Sequence, residues 1–284
     1  MRLSGKARVA GVMGWPVAHS RSPRLHGYWL AHYRIDGAYI PLAVRPEARE
    51  AAFAGLRALG LAGCNVTIPH KEAALGLVDE LDDQARRIGA VNTVIVGDDG
   101  RLIGRNTDAF GFREALLEGA PALAPEGGVA TVLGAGGAAR AIIVALQDLG
   151  LGEIRVVNRG LDRARALAAE FGRPVEAVVW DERAGALDGA GLLVNSTSLG
   201  MAGSAPLELA LDALPPAATV MDIVYTPLET PLLAEARARG HRAVDGLGML
   251  LHQARPGFEA WFGHRPEVTA ALRAHVLDDG NETA

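Results

Sequence analysis

Only two of the chain's 28 basic side chains are lysines, Lys6 and Lys71, so arginine serves wherever a plain positive charge suffices. A buried ammonium can have its pKa drawn into a useful range, which a guanidinium cannot, so a lysine can give and take a proton. Lys71 closes the run Asn65-Val66-Thr67-Ile68-Pro69-His70-Lys71. That run predicts a strand over 63–68 ended by Pro69 at the first position of a helix. Lys71 would then stand in a first helical turn, where the positive end of the dipole disfavours a cation. Thr67 would stand at the strand's carboxyl end, where α/β proteins place their sites. Ser20 and Ser22 alternate in His19-Ser20-Arg21-Ser22-Pro23, and two hydroxyls at a helix start suit a carboxylate. Ser22 before Pro23 equally suits an N-cap. Asn92 in GAVNT and Asp108 in GRNTD add an amide and a carboxylate at loop ends, and Asp108 equally suits the cap of the helix that follows.

A second group of residues could hold a dinucleotide. In VATVLGAGGAARAIIVALQDLG, Gly134, Gly136 and Ala139 fill the G-x-G-x-x-G/A pattern between a strand and a helix. The first glycine makes the tight turn, the second lets backbone approach a pyrophosphate, and the third small residue lets helix and sheet pack closely. A glycine turn without ligand has the same composition, but here the strand precedes and the helix follows. The next strand ends in Asn158-Arg159, with Arg163 one turn on, in place of the acidic residue that accepts from an NAD ribose. Two guanidiniums suit a 2′-phosphate, which favours NADP; solvated surface arginines are the alternative.

Positioning these groups requires short β-branched runs alternating with amphipathic helices. Strands are expected at 8–13, 38–44, 63–68, 91–96 and 101–104, with helices at 22–35 and from about Pro46. From Val129 the pattern restarts with strands at 129–133, 153–158, 175–179, 191–195, 219–224 and 241–244, and helices at 137–149, 161–170 and 230–239. The alternation predicts an α/β chain of parallel sheets with helices on both faces, with a last helix at 246–262 that returns to the first domain. The expected domains are 1–108 with 245–275, and 109–244, followed by a polar tail from 276.

At 284 residues and 49% apolar, the chain is long enough for two cores and too apolar for disorder. A net charge of −5 gives no electrostatic footprint for nucleic acid. Cys64 is the single cysteine, which excludes a disulfide framework and suits a cytoplasmic setting. No apolar run reaches about 18 residues, so no membrane span is expected. The start, Arg2–Arg8 followed by VAGVMGWPVA, superficially imitates a signal peptide but reads as a strand entering a Gly-Pro loop. The Asn65 and Asn195 sequons are therefore discounted. The eight histidines show no metal-ligand spacing, so no metal site is expected.

Taken in order, GWPVAHSRSPRLHG, NVTIPHK, GAVNT, GRNTDAFGF, GAGGAARA, NRGLDRA, NSTSLGM, DIVYTPLETPLL and DGLGMLLHQA resemble the shikimate dehydrogenases, NADP-dependent enzymes of the aromatic (chorismate) pathway. The resemblance spans about 8–265 and implies an N-terminal α/β substrate domain, a Rossmann-type NADP domain and a returning C-terminal helix. It implies Lys71 and Asp108 as the catalytic pair, and Ser20 and Ser22 on the substrate carboxylate with Tyr225 nearby. Thr67, Asn92, Asp108 and Gln253 would hydrogen-bond the ring hydroxyls. Gly134, Ala135, Gly136, Gly137 and Ala138 would cradle the diphosphate of NADP, and Asn158, Arg159 and Arg163 its 2′-phosphate. Ile223 and Gly246 would border the nicotinamide, and Asp83 would approach the cofactor. The implied partner is a small-molecule substrate, with neither nucleic acid nor membrane, and with a homodimer as the assembly to test. Two positions depart from the pattern. Gly160 stands where the family commonly has threonine, which softens the expected NADP preference, and Gly27 stands where it often has asparagine. A broader quinate/shikimate dehydrogenase, an aminoshikimate-type paralogue and a non-catalytic ligand sensor on the same scaffold stay open. A sensor would be expected to lose Lys71 or Asp108, or to gain a DNA-binding segment.

Overall fold

The computed structural model describes residues 3–278, and the chain divides into two compact units. One comprises the chain up to Thr107 together with the chain from Leu251 onward, and the other is Asp108–Leu250. Of the polar tail expected from 276, Val276 and Leu277 instead complete a helix, with Val276 buried, and the residues past Asp278 lie outside those described.

The first unit opens with β1 (Arg8–Gly14), α1 (Ser22–His32), β2 (Gly37–Ala43), α2 (Arg49–Ala58) and β3 (Gly63–Val66). It continues through β4 (Glu80–Leu81), α3 (Asp83–Ile88), β5 (Thr93–Val96) and β6 (Leu102–Arg105). The sheet order is β2-β1-β3-β5-β6-β4. This sheet is mixed, which corrects the expectation of a parallel one: β5 runs antiparallel to both β3 and β6. The cause is legible in Val96-Gly97-Asp98-Asp99-Gly100-Arg101. Gly97 and Arg101 close that turn by a 2.9 Å backbone bond, and Gly100 takes φ +80°, so the chain reverses as a hairpin and not as a crossover. One face packs Met13, Phe53, Leu56, Cys64, Val66, Val94 and Leu102 into a single cluster. Leu25, Trp29, Leu30, Phe258 and Trp261 are also fully buried. Each such side chain contributes about 1.5–3 kcal/mol of apolar burial.

The second unit contains α4 (Asp108–Gly119), β7 (Val129–Leu133), α5 (Gly137–Asp148), β8 (Glu153–Asn158), α6 (Leu161–Phe171) and β9 (Val175–Val179). β10 (Leu192–Asn195), β11 (Thr219–Asp222), α7 (Pro231–Ala238) and β12 (Arg242–Val244) follow. α8 (Leu247–Phe262) then leads the chain back into the first unit, where α9 (Ala270–Leu277) is the last element among the described residues. All pairings in the order β12-β11-β10-β7-β8-β9 are parallel, as the sequence pattern predicts. Numbered within this unit the order is that of a Rossmann-type dinucleotide fold, whose strand order reverses between β7 and β10.

Three further local expectations need correction. No helix opens at Pro69: Ile68–Pro69 is a turn, and only Ala73–Gly76 forms a single 3₁₀ turn. The stretch before Gly76 is too short to recover the cost of nucleating an α-helix. α1 ends at His32 and not at Ile35, because Arg34 takes φ 54° and turns the chain. α9 is absent from the sequence pattern; it is short, and Thr269 caps it by accepting from Leu272 N–H at 3.1 Å.

Candidate active site

Topology gathers the first unit's polar residues at one edge of its sheet. β1 and β3 run parallel, β5 runs against β3, and β6 runs against β5. The segments after β1, after β3, before β5 and after β6 therefore all emerge on the same side. These segments carry Ser20 and Ser22, Thr67 and Lys71, Asn92, and Asn106 with Thr107 respectively.

Ser22 is buried and is the first residue of α1, not its cap. Arg21 holds the cap position without a side-chain cap bond, and the Ser20 hydroxyl accepts from Ser22 N–H at 3.3 Å. The Ser22 hydroxyl interacts with the Tyr39 oxygen. Tyr39 donates to Asn65 Oδ1 at 2.6 Å, and Asn65 Nδ2 donates to the Asn92 carbonyl at 3.1 Å and to Thr93 Oγ1 at 3.2 Å. Burial pushes the Tyr39 phenol well above its ordinary range, so it stays a protonated donor. Thr67 is tied to the end of β1 by its N–H on the Met13 carbonyl at 2.8 Å.

Asn92 is held on both ends. Its Nδ2 donates to Thr107 Oγ1 at 3.0 Å and to Gln253 Oε1 at 3.4 Å, while its Oδ1 accepts from Thr107 N–H at 2.8 Å. The bond to Gln253 is the longest of these, and therefore the easiest to replace. Lys71 is half-buried in a turn, with its carbonyl accepting from Val91 N–H at 2.9 Å. Because no helix starts there, the dipole argument against a cation at that position does not apply. Asp108 is buried and opens α4 as its first residue. Asp83 is fully exposed on α3, paired with Arg86 at 3.4 Å.

In the second unit, Gly134, Ala135, Gly136, Asn158 and Arg159 line a cleft of about 200 Å³. Gly134 takes φ +104°, and a Cβ there would stand 2.7 Å from Ser196 Oγ, so the turn needs glycine on both counts. Gly136 caps α5 with no side chain, which leaves the first-turn N–H groups of Gly137 and Ala138 to a ligand. N–H groups left free at a helix start suit a diphosphate. Arg163 is exposed on α6. Gly160 is the N-cap of α6; its carbonyl accepts from Asn158 Nδ2 at 2.9 Å, and a Cβ there meets only that nitrogen, at 3.6 Å. Nothing in the fold demands glycine at that position.

Ile223 and Gly246 are brought together. A Cβ on Gly246 would overlap the Ile223 carbonyl oxygen and stand 2.7 Å from that of Val224. Tyr225 is half-buried in the loop after β11. That loop hangs from Asp222, which accepts from Asn195 Nδ2 at 3.0 Å, Val224 N–H at 3.0 Å and Thr230 Oγ1 at 2.7 Å. Burial raises the Asp222 carboxyl, and these three donors oppose the rise.

Sequence reasoning misses Asn65 and Tyr39 in the first unit, and Trp180, Ser196 and Thr197, which also line the cleft. Asn65 and Asn195 enter it only as members of quoted motifs and as discounted sequons, with no role assigned to either. Each lies at or next to a strand's end with its amide engaged, a role that a buried asparagine in such a place signals on hydrogen-bonding grounds.

Family models match three stretches: the shikimate dehydrogenase substrate-binding domain over residues 12–94, shikimate/quinate 5-dehydrogenase over 125–201, and the shikimate 5′-dehydrogenase C-terminal domain over 246–274. A shikimate dehydrogenase (NADP(+)) of Paramagnetospirillum magneticum is 62% identical, covering 97% of this chain and 100% of that protein. The chain belongs to the shikimate dehydrogenase family. Among solved members, shikimate 5-dehydrogenase of Thermus thermophilus, in complex with NADP(H) and shikimate, is 40% identical with a TM-score of 0.84, covering 95% of this chain and 98% of that one. Quinate dehydrogenase of Corynebacterium glutamicum, in complex with NAD, is 30% identical with a TM-score of 0.88, covering 96% and 99%. Family membership thus bears out the α/β substrate domain and the Rossmann-type sheet that the motifs implied.

Proposed function

We infer that the protein is an NADP-dependent shikimate dehydrogenase, which reversibly reduces 3-dehydroshikimate to shikimate. The observation that carries this is identity of 62% along essentially the whole of a relative bearing that name. Bound NADPH supplies the hydride, and the chain supplies position and the proton. Negative charge grows on the substrate's carbonyl oxygen as it is reduced. Lys71, as the ammonium, stabilises that charge and gives up its proton; in the reverse direction its neutral amine takes the hydroxyl proton. Asp108 accepts a hydrogen bond from the same hydroxyl and orients it. Ser20 and Ser22 hold the carboxylate, with Tyr225 beside it, and Thr67, Asn92 and Gln253 take the ring hydroxyls. A substrate hydroxyl entering beside Asn92 can take the place of the 3.4 Å bond to Gln253.

For the cofactor, the cleft and the uncapped start of α5 support a diphosphate on Gly134–Ala138 and a 2′-phosphate on Asn158, Arg159 and Arg163. Ile223 and Gly246 border the nicotinamide, and Asp83 belongs to the cofactor's surroundings. In this reading 1–108 with 245–275 serve the substrate and 109–244 serve NADP. Among the described residues no helix is long and apolar enough to cross a membrane. We place the enzyme in the cytoplasm, and propose a homodimer, which light scattering tests. The reaction itself is tested by assaying shikimate and quinate, each against NADP and NAD. Quinate carries an extra hydroxyl at C1 that crowds the Ser20/Ser22 carboxylate site, so shikimate with NADP should be the best pair. Comparable kcat/KM for quinate would favour the quinate dehydrogenase likeness instead.

A further inference from the structure

Lys71 stands in a segment, residues 67–72, that is neither helix nor strand, so no regular ladder fixes it. The residue before it is anchored by its side chain instead. His70 is completely buried, with Nε2 2.8 Å from the Val44 carbonyl at the end of β2. A carbonyl only accepts, so Nε2 carries the hydrogen. Arg49, the first residue of α2, donates its Nε–H to His70 Nδ1 at 3.1 Å, so Nδ1 is the bare acceptor. The two bonds together define one tautomer and one ring orientation. His70 N–H also closes the turn on the Thr67 carbonyl at 2.9 Å, and the Lys71 carbonyl takes Val91 N–H at 2.9 Å. The backbone of Lys71 is thus clamped between a buried ring on one side and Val91, in the segment that leads into β5, on the other.

We propose that His70, held by Val44 and Arg49, is a positioning residue that fixes where the Lys71 ammonium reaches. It touches no reacting atom. The inference rests on the assignment of proton transfer to Lys71, and it adds to it a requirement that a lysine at this place must be set by its neighbour's ring. A misplacement of about 1 Å at a reacting group costs up to about 10²-fold in rate.

The test is steady-state kinetics on four variants, with shikimate-binding stoichiometry at saturation measured on each to count folded substrate unit. His70→Ala is expected to lower kcat by about 10–100-fold while the KM for shikimate changes less than about three-fold. His70→Gln offers an amide N–H to Val44 and a carbonyl to Arg49, and should recover most of kcat. Arg49→Ala leaves the ring in place and removes only the bond at Nδ1; its kcat should fall in the same direction by about three- to ten-fold. Lys71→Ala run alongside separates the two claims. Full kcat in His70→Ala, while Lys71→Ala is inactive, overturns the positioning role alone. Unchanged kcat in Lys71→Ala overturns the reading of Lys71, and this inference with it. Losses of kcat that merely track lost shikimate-binding stoichiometry, without recovery in His70→Gln, make the ring a fold element only and overturn the proposal. If His70→Ala does not fold, Arg49→Ala decides, and an unchanged kcat there overturns it.

Discussion

Lys71 and Arg159 ask for opposite kinetic signatures, since one is assigned to proton transfer and the other to holding the cofactor. Arginine at position 71 would keep the charge but could not give up its proton near neutral pH. Lys71→Arg and Lys71→Ala should therefore both lower kcat by about 10²–10⁴-fold, the usual range for removing a general acid–base group. The KM for shikimate should move far less, because Ser20, Ser22, Asn92 and Gln253 remain, and NADP titration should be unchanged. Near-wild-type kcat in Lys71→Arg would mean that charge alone suffices. Arg159, exposed at the rim of the second unit's cleft, should act on binding. Losing a charged hydrogen bond of about 1.5–3 kcal/mol predicts that Arg159→Ala raises the KM for NADP about 10–100-fold more than that for NAD. Equal losses for both cofactors would make Arg159 structural. These two residues are legible because their types are chemically unusual for their places: a lysine in an arginine-rich chain, and an arginine where an acid would read a ribose. Asn65 and Tyr39 are not, because nothing in a sequence says which buried amide will meet which phenol across two strands.

Elements are legible wherever pattern and length agree. The run from Val129 to Val244 alternates strand and helix with conventional turn residues, and its parallel sheet follows. The first sheet departs from expectation because the same alternation is broken by one hairpin, whose Asp98-Asp99-Gly100 turn is the available signal. The helix expected at Pro69 fails for a reason of length, which a rule about proline at a first helical position does not weigh. Gly246 shows how an element can need a residue for contact and not for its own conformation. It precedes α8, and any Cβ there would drive into the carbonyls of Ile223 and Val224. Gly246→Ala must therefore shift backbone, and overpacking of this kind costs about 1–3 kcal/mol. The loop it displaces is anchored by Asp222 and carries Ile223, so the KM for NADP should rise as the urea midpoint falls. A variant with an unchanged midpoint and unchanged KM would show that the loop yields freely and has no part in the cofactor site.

At the scale of the whole molecule, each unit has a core of its own, and one core contains an ionisable ring. His26 is fully buried, stacked on Tyr39 at 3.9 Å and ringed by Trp29, Phe258 and Trp261. Among the described residues neither of its ring nitrogens has a hydrogen-bond partner within bonding distance. Burial pushes its pKa down to about 3, and the neighbouring Asn65 only partly opposes this. In the unfolded chain the same imidazole titrates near 6.5. Between those values the unfolded state holds a proton that the folded state does not, so stability falls as pH drops from about 6.5 towards 3, and above that window His26 contributes nothing. The slope approaches about 1.4 kcal/mol per pH unit inside the window. His26→Phe keeps an aromatic ring against Tyr39 and removes the titration. Its stability relative to wild type should therefore improve by about 2 kcal/mol between pH 7 and pH 5. Asp82 and Asp222, whose carboxyls burial raises, tilt the absolute curves the other way, but they are common to both proteins and cancel in the difference. Urea unfolding of both proteins at the two pH values measures it. If the two stabilities change in parallel, the ring either carries a proton in the folded state or finds a partner that burial alone does not provide, and the acid sensitivity of the molecule must then arise outside this core.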